Sequence, residues 1–556
     1  MSIVANLRDT LLSSLAQLPG TREFHLHVLV TAPRKNSSIF PFALPRPRAY
    51  LQDILVLLSE QPTPDAPRVL VTAIEVSVYN IPATNSAILY VSKVDSTGQA
   101  SAPSPTYTLV KAFLKFYADP DTRPVAAEQL WIHLFARAQA QYLFPNSAEY
   151  AGKRPLSDIK LCAWWKRVFS DVARELASKE PSRQLRLAYV LPGYSEFEAT
   201  YALKNASSSS SSSSAVPSWT YGHPYSRTDI PLPCPPPGEG KQHNLGHYIP
   251  SFDDDPKSRF MDEIAYTTNG DIKSPKRKRS RTTARDDGSH SRSTDAEEKE
   301  KDDKDDAHPI GELAKVSPGE FWERMSFRQE CVAGAVTGFF TLAISSTTSP
   351  PGTATSSIAT PTQSASTSAS TGSAISPLAP QPGQVSSQLE KRIVTTLTTN
   401  VEFSTIERAV RGTEILEGAI RGLCEGIAPV PLPTSKKPVP KGPRTSLTRK
   451  PQEDDSDRRT PERETSAPSS TLLVPPNTPP PRLNANGKRL LPDVSPNPFP
   501  EPVTSLETYH LHIYGSVCVS NAMTPKDNSY AAKQGEAGDG PQVTVLTARK
   551  KKKRAD

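Results

Sequence analysis

The sequence predicts an α/β fold: one folded domain of mixed strands and helices, interrupted by disordered insertions and followed by a disordered tail. Three observations carry this. β-branched runs such as "RVLVTAIEVSVYNIP" and "AILYVSKVDSTG" are interleaved with helical stripes through the first 200 residues. The 556 residues include 56 prolines and only 36% are hydrophobic, too little apolar surface to offset chain entropy along the whole length. Ser/Thr/Pro and charged residues are gathered in blocks, which leaves about 300 residues for the domain, ample for a full core.

Taken in order, Val4, Leu7, Leu11, Leu12, Leu15 and Leu18 form a helical stripe over residues 1–20, ended by Pro19 and Gly20. "EFHLHVLVTAP" reads as a strand, and the two β-branched runs as two more, the second closing on a turn at residues 95–98. In "PTYTLVKAFLKFYAD" the recurrence of Leu109, Phe113 and Tyr117 makes a helix, whereas "AAEQLWIHLFARAQAQYLFPNS" is a helix or a strand leading to Pro145. "LSDIKLCAWWKRVFSDVARELASK" is a helix with Ser157 at its N-cap, and "QLRLAYVLPGY" is strand-like.

Punctuation follows. Eight serines at 207–214, the extended "PLPCPPPGEG" and a charged block from 271 to about 308 read as insertions. In "KVSPGEFWERMSFRQECVAGAVTGFFTLAIS", Ser317 and Glu320 make a capping box with Pro318 at the first helical position. Phe321, Met325, Gly334 and Phe339 then follow on one apolar helix. After a Ser/Thr/Pro spacer, "FSTIERAVRGTEILEGAIRGLCEGIAP" is a last helix with Ile415, Ala419 and Leu423 on one face. The domain is therefore expected over 1–428, with insertions at about 204–217, 268–309 and 346–388, and a tail over 429–556. Inside that tail, the apolar island "YHLHIYGSVCVSN" has no partner that the sequence names.

Five scattered cysteines (Cys162, Cys234, Cys331, Cys424, Cys518) without a C-x-x-C pair suit a reducing compartment. Arg8 and Asp9 break the N-terminal apolar pattern, and no apolar run approaches the roughly 20 residues that span a bilayer, so a soluble intracellular protein is expected. The net charge of +7 is modest, but the basic residues cluster in "PKRKRSR" (275–281) and "RKKKKR" (549–554), patterns of nuclear import or phosphate binding, or of solvated charge in disorder. No DNA-reading or RNA-binding motif accompanies them.

Candidate chemistry is sparse. His25 and His27 share a strand face, as do His510 and His512, but neither pair has a third ligand, so no metal is expected. No nucleophile elbow, Walker loop or dinucleotide fingerprint occurs. Trp164 and Trp165 stand about 100° apart on a helix: either both are partly buried in the core, or one is core and the other lines a cleft, an interface or a groove. Asp95 ends a strand before a glycine turn, which by itself is a turn-forming aspartate. "SFDDDPKSRFMDEIAY" puts Asp255 before Pro256 as a helix N-cap, again an ordinary role taken alone.

In sequence order, "YVSKVDSTG", "LFARAQAQYLFPNS", "LCAWWKRVF", "SFDDDPKSRFMDEI" and "VSPGEFWERMSFRQECVAGAVTG" are more specific together. With the C-terminal basic patch, they resemble the fungal histone lysine acetyltransferases of the regulator-of-Ty-transposition type, distant fold relatives of the CBP acetyltransferases. The resemblance covers about residues 1–345 and the helix at 390–428. It implies a single acetyltransferase domain with a central mixed sheet surrounded by helices. It also implies acetyl-CoA as co-substrate, histone H3 (with H4) as substrate, histone chaperones as partners and a nuclear location.

The same resemblance makes Asp255 the general base, with Asp254 beside it and Asp95 facing the same channel. Trp165 and Tyr142 become the lysine-channel wall, and Lys257 the autoacetylated lysine. A lysine ammonium must lose its proton before it attacks, which is the reason for a carboxylate and a water-excluding wall. The acetyl-CoA site is expected at Val94, Asp95, Ser96, Pro103, Ser104, Pro105, Thr106, Tyr107, Phe135, Gln139, Arg154, Pro155, Leu156 and Trp164, with Arg154 meeting a phosphate. Two departures stand out: proline and tyrosine occupy the 103–107 loop where the family often places an arginine, and Gln139 replaces a small residue. A different class of function, a non-catalytic nuclear histone-binding scaffold, would work through the charged tracts instead.

Overall fold

Side chains alternate between the two faces of a strand, so the burial of each strand shows what covers each face of the sheet. The computed structural model describes residues 6–206, 218–225, 230–238, 243–268, 271–272, 311–328, 335–345, 378–425, 502 and 504–523. The serine run, both basic runs, Cys331 and most of the expected insertions and tail lie outside these residues.

The strands are β1 (Gly20–Val30), β2 (Arg34–Asn36), β3 (Ala49–Gln61), β4 (Val69–Ile81), β5 (Ser86–Ser96), β6 (Gln129–Ala136), β7 (Gln184–Val190), β8 (Trp219–Tyr221), the two-residue β9 (Thr267–Thr268) and β10 (Asp271–Ile272), β11 (Gly338–Ser345) and β12 (Tyr514–Asn521). Ten of them form one mixed sheet in the order β12-β1-β3-β4-β5-β6-β11-β7-β8, with β2 also on β3. β5 with β6 and β7 with β8 are the parallel pairs, and the other neighbours are antiparallel.

Helices α1 (Leu7–Leu15), α2 (Thr106–Ala118), α3 (Asp158–Lys179) and α4 (Glu196–Ala206) cover one face. There Leu89 and Val91 of β5 meet Leu109, Phe113, Trp165, Val168 and Phe169 in the main core. The other face carries three smaller clusters, built around α5 (Pro256–Tyr266) and α6 (Pro318–Met325), around Phe252, and around α7 (Ser387–Thr395) and α8 (Ile406–Glu425). A polar seam of Asp53, Glu75 and Lys93 crosses this second face, tied by Arg34 to Asp53 at 2.5 Å and Lys93 to Glu75 at 3.1 Å.

Several expectations change. β3 has no counterpart in the sequence reading. Among the described residues, the single apolar helix expected after Pro318 is a short helix and, further on, a strand, with Gly334 outside the described residues. Ser317 Oγ caps Glu320 N at 3.2 Å as expected, but α6 ends at Met325 and Phe339 lies on β11, between β6 and β7. α8 buries Ala409, Thr413, Leu416 and Ile420, leaving Ile415 43% exposed instead of at the centre of the apolar face. The island in the tail is part of the domain: β12 pairs with β1 from Gly20↔Asn521 to His27↔Tyr514. His27 Nε2 and His25 Nδ1 sit 3.0 and 2.9 Å from the hydroxyls of Tyr509 and Tyr514, so these histidines hold the island in place.

Candidate active site

β5 and β6 pair from Ser86↔Gln129 to Val91↔Leu134 and then part, while β5 stays on β4 as far as Ser96. A crevice beyond the carboxyl ends of parallel strands is where α/β sheets bind ligands. Here it opens into a cleft of about 500 Å³. Val94, Asp95 and Ser96 of β5 form its floor, Ser104, Thr106 and Tyr107 one side, Trp164 and Trp165 of α3 another, and Gln139, Tyr142, Arg154, Pro155 and Leu156 the rim.

Asp95 organises the rim. One carboxylate oxygen accepts the backbone N–H groups of Tyr142, Leu143 and Phe144 at 2.7, 2.9 and 3.2 Å. The other accepts Ser96 N at 2.8 Å and Lys153 Nζ at 3.0 Å. With all these donors and 7% exposure, Asp95 fixes the "QYLF" turn against β5, and its oxygens are fully engaged. Lys153, which the sequence reading did not single out, also reaches Ser147 Oγ at 2.8 Å. Its loop lies against Gly98, where φ is +78° and an added Cβ would stand 2.5 Å from Lys153 Cα. Glycine is required there by both conformation and space.

Both tryptophans serve the cleft. Trp165 is 4% exposed and packs into the main core while showing an edge to the cleft. Trp164 meets it edge-on at 4.7 Å and meets Tyr107 at 6.0 Å. The Tyr107 hydroxyl donates to Asp171, and Arg167 stacks on its ring at 4.9 Å. Burial pushes the Tyr142 phenol up to about 12, so it remains a hydrogen-bond donor at neutral pH. Thr106 opens α2, whose N-terminal N–H groups favour anions, and Arg154 stands exposed at the opposite rim.

The structure does not bring every expected residue into this cleft. Pro103 and Pro105 do not border it: buried Arg22, paired with Glu60, clamps their loop through Ser101 O and Pro103 O at 2.7 and 2.8 Å. Phe135 meets the tilted ring of Phe339 at 4.8 Å outside it. Asp254, Asp255 and Lys257 also lie outside its lining. Asp255 is fully buried and caps α5, accepting Lys257 N at 2.9 Å on one oxygen and Lys257 Nζ on the other. The Lys257 ammonium also faces the Phe339 ring at 4.7 Å. Asp254 is exposed and pairs with Lys93 Nζ at 3.4 Å.

β5 nevertheless joins the two places. Burial and then the neighbouring Asp255 carboxylate raise the Tyr90 phenol well above its ordinary range, while Phe252 stacks on Tyr90 at 4.0 Å. Burial disfavours charge on Lys93, but the carboxylates of Glu75 and Asp254 outweigh it and hold the ammonium. The strand that floors the cleft thus carries, one and four residues before Val94, the side chains that face Asp254 and Asp255. Gly98, Ala100, Ala102, Ala138, Lys153 and Leu161 line the cleft unforeseen; of these the glycine turn after Asp95 was the one visible signal. Among the described residues, no three His, Cys, Asp or Glu side chains cluster to hold a metal, and no helix is long and apolar enough to cross a membrane.

Comparison with known proteins places the chain in a family. The chain is 31% identical over 313 residues to the histone acetyltransferase rtt109 of Aspergillus flavus, covering 52% of this chain and 46% of that one. It is 27% identical over 257 residues to the histone acetyltransferase rtt109 of Schizosaccharomyces pombe, covering 46% and 52%. The chain therefore spans about half the length of these curated relatives. The crystal structure of Rtt109 from Aspergillus fumigatus is 25% identical, with a TM-score of 0.49 over 74% of this chain and 95% of that chain. The histone acetyltransferase KAT11-type domain matches residues 119–417, more than half of the sequence and a stretch that holds Tyr142, Arg154, Trp165, Asp255 and Lys257. On that match, the chain belongs to the KAT11-type histone acetyltransferase family.

Proposed function

We propose that the protein transfers acetyl from acetyl-CoA to histone lysines. The observation that supports this best is the cleft at the parted ends of β5 and β6, which sets an anion-favouring helix N-terminus and Arg154 around an aromatic wall. Its volume is within the range of small-molecule and cofactor sites. Acetyl-CoA supplies a thioester at one end and phosphates at the other. Trp164, Trp165 and Tyr142 exclude water around the thioester, and Arg154 with the α2 N-terminus meets the phosphates.

Asp255 takes the proton of the incoming lysine, Asp254 and Lys93 guide its approach, and Asp95 holds the rim. In the structure Lys257 occupies both oxygens of Asp255, so the carboxylate is released when Lys257 moves or is itself acetylated and loses its charge. Histone H3 with H4, presented by a histone chaperone, is the substrate. The nucleus is the location, and chromatin assembly, the DNA damage response and genome stability are the processes served.

The test is purified protein with acetyl-CoA and H3–H4, read by mass spectrometry with and without chaperone. We expect Asp255→Asn to lower kcat by about 10²-fold or more. Full activity in that variant across the pH range sinks the base assignment. An inactive wild-type protein that still binds H3–H4 supports a scaffold instead.

A further inference from the structure

The Asp255–Lys257 pair is sealed from solvent, with side chains 0% and 3% exposed, yet a base that works every turnover must pass its proton on. Lys257 borders one of two small cavities that share His223. The first, about 10 Å³, is bordered by Lys257, His133, Thr341, Tyr225, His223 and Trp322. The second, about 20 Å³, shares His223 and adds Trp131. A space of roughly 10–15 Å³ holds one water and nothing larger, so neither admits an acetyl group.

Their walls carry an unusual number of buried polar atoms. His133 Nε2, Trp322 Nε1, His223 Nδ1 and Trp131 Nε1 have no hydrogen-bond partner. Buried nitrogens in that state are satisfied by ordered water wherever a polar cavity has room for it. His133 is 2% exposed and sits with Nδ1 3.4 Å from Thr341 Oγ1. A neutral ring donating there leaves its Nε2 lone pair to accept. Burial, and then the Lys257 charge, hold the ring well below its ordinary range, so it is neutral at rest. His223, half-buried on the segment after β8, is the outermost group of the series.

We infer that these cavities are water sites and that the series Lys257, His133, His223 is the proton exit for the buried Asp255. The inference rests on the reading of Asp255 as base. Per turnover one proton enters on Asp255 from the acceptor lysine and is passed to Lys257 as Lys257 gives one up. That proton passes to the first water, which His133 Nε2 holds by accepting, and from it to His223, which borders both cavities and gives a proton up to solvent, so the pair is restored and no other group changes charge. The charged or titratable groups facing the route are Asp255, Lys257, His133, Tyr189, Tyr225, His223 and, at the second cavity, Arg186. His133 and His223 act through Lys257 and are positioning and relay residues.

Two experiments decide it. In a crystal structure that resolves solvent, we expect a water within hydrogen-bond distance of His133 Nε2; a cavity without solvent overturns the inference whatever the activity. In steady-state kinetics we expect His223→Ala and His133→Phe to lower kcat about tenfold at unchanged KM, with a larger solvent deuterium isotope effect, and imidazole to restore His223→Ala. Because His133 is buried and its variant can misfold, His223→Ala is decisive: wild-type kcat and isotope effect in a folded His223→Ala protein overturn the route. A wild-type protein without acetyltransferase activity refutes the proposed function, while the crystallographic result still decides the water site.

Discussion

Asp95 shows how one side chain can hold the rim of a cleft in place. Five donors converge on its two oxygens, three of them successive N–H groups of the turn that presents Tyr142. Asp95→Asn keeps the size but replaces one acceptor oxygen by an NH₂ that opposes either the turn or Ser96 and Lys153. Leaving buried donors or a buried ammonium unpaired costs about 3 kcal/mol. We expect that loss in urea unfolding, together with weaker acetyl-CoA binding by calorimetry; unchanged stability would show that the turn does not depend on the carboxylate. This role was only half legible in the sequence. The position of Asp95 at a strand end was plain, but Lys153 comes from another loop, and its meeting with Gly98 and Asp95 exists only in the fold. The "QYLFPN", "WW" and "DDDPK" stretches were noticed as residues, whereas the separation of Asp255 from the cleft depends on which face of β5 each side chain takes.

At the scale of elements, the errors share a cause. All eight residues of β11 are buried, and a run that is apolar on both sides has no period to separate a strand from a buried helix. The α8 face was assigned by spacing alone, and Ile415, Ala419 and Leu423 form a stripe beside the one that packs. α7 carries a consequence of its packing. Glu390 is buried against the polar seam, and burial first, then the carboxylates of Asp53 and Glu75, push it up to about 7. A carboxyl that binds its proton more tightly when folded contributes stability that is complete below its ordinary value of 4.5 and is lost as pH rises through 7. Glu390→Gln removes that loss. Relative to wild type, the variant should gain on the order of 2 kcal/mol at pH 8 and close to nothing at pH 4.5. Denaturant unfolding at the two pH values checks this, and an equal effect at both would mean that the ionisation plays no part.

The whole molecule is closed by a strand from far along the chain. β12 covers the edge of β1 through eight paired residues, and Arg8 of α1 binds the carbonyls of His510 and Tyr514 at 2.7 and 2.9 Å. Tyr509 and Ile513 are buried in the same cluster as α7 and α8, and Tyr509 stacks on Tyr514 at 5.5 Å. No local pattern announces such a partnership across nearly 500 residues, which is why the island read as an orphan. Its removal would expose a long apolar strand edge, a template for association. It would also uncover His27, which burial lowers to about 4 and which is neutral in the intact fold. We therefore expect a chain ending before residue 499 to melt at least about 5 °C lower and to self-associate on light scattering. A peptide spanning residues 502–523, added in trans, should reverse both effects by restoring the pairing with β1. If the shortened chain stays monodisperse and melts with the full one, β1 has a second way to satisfy its edge, and β12 is not the closing strand of the sheet.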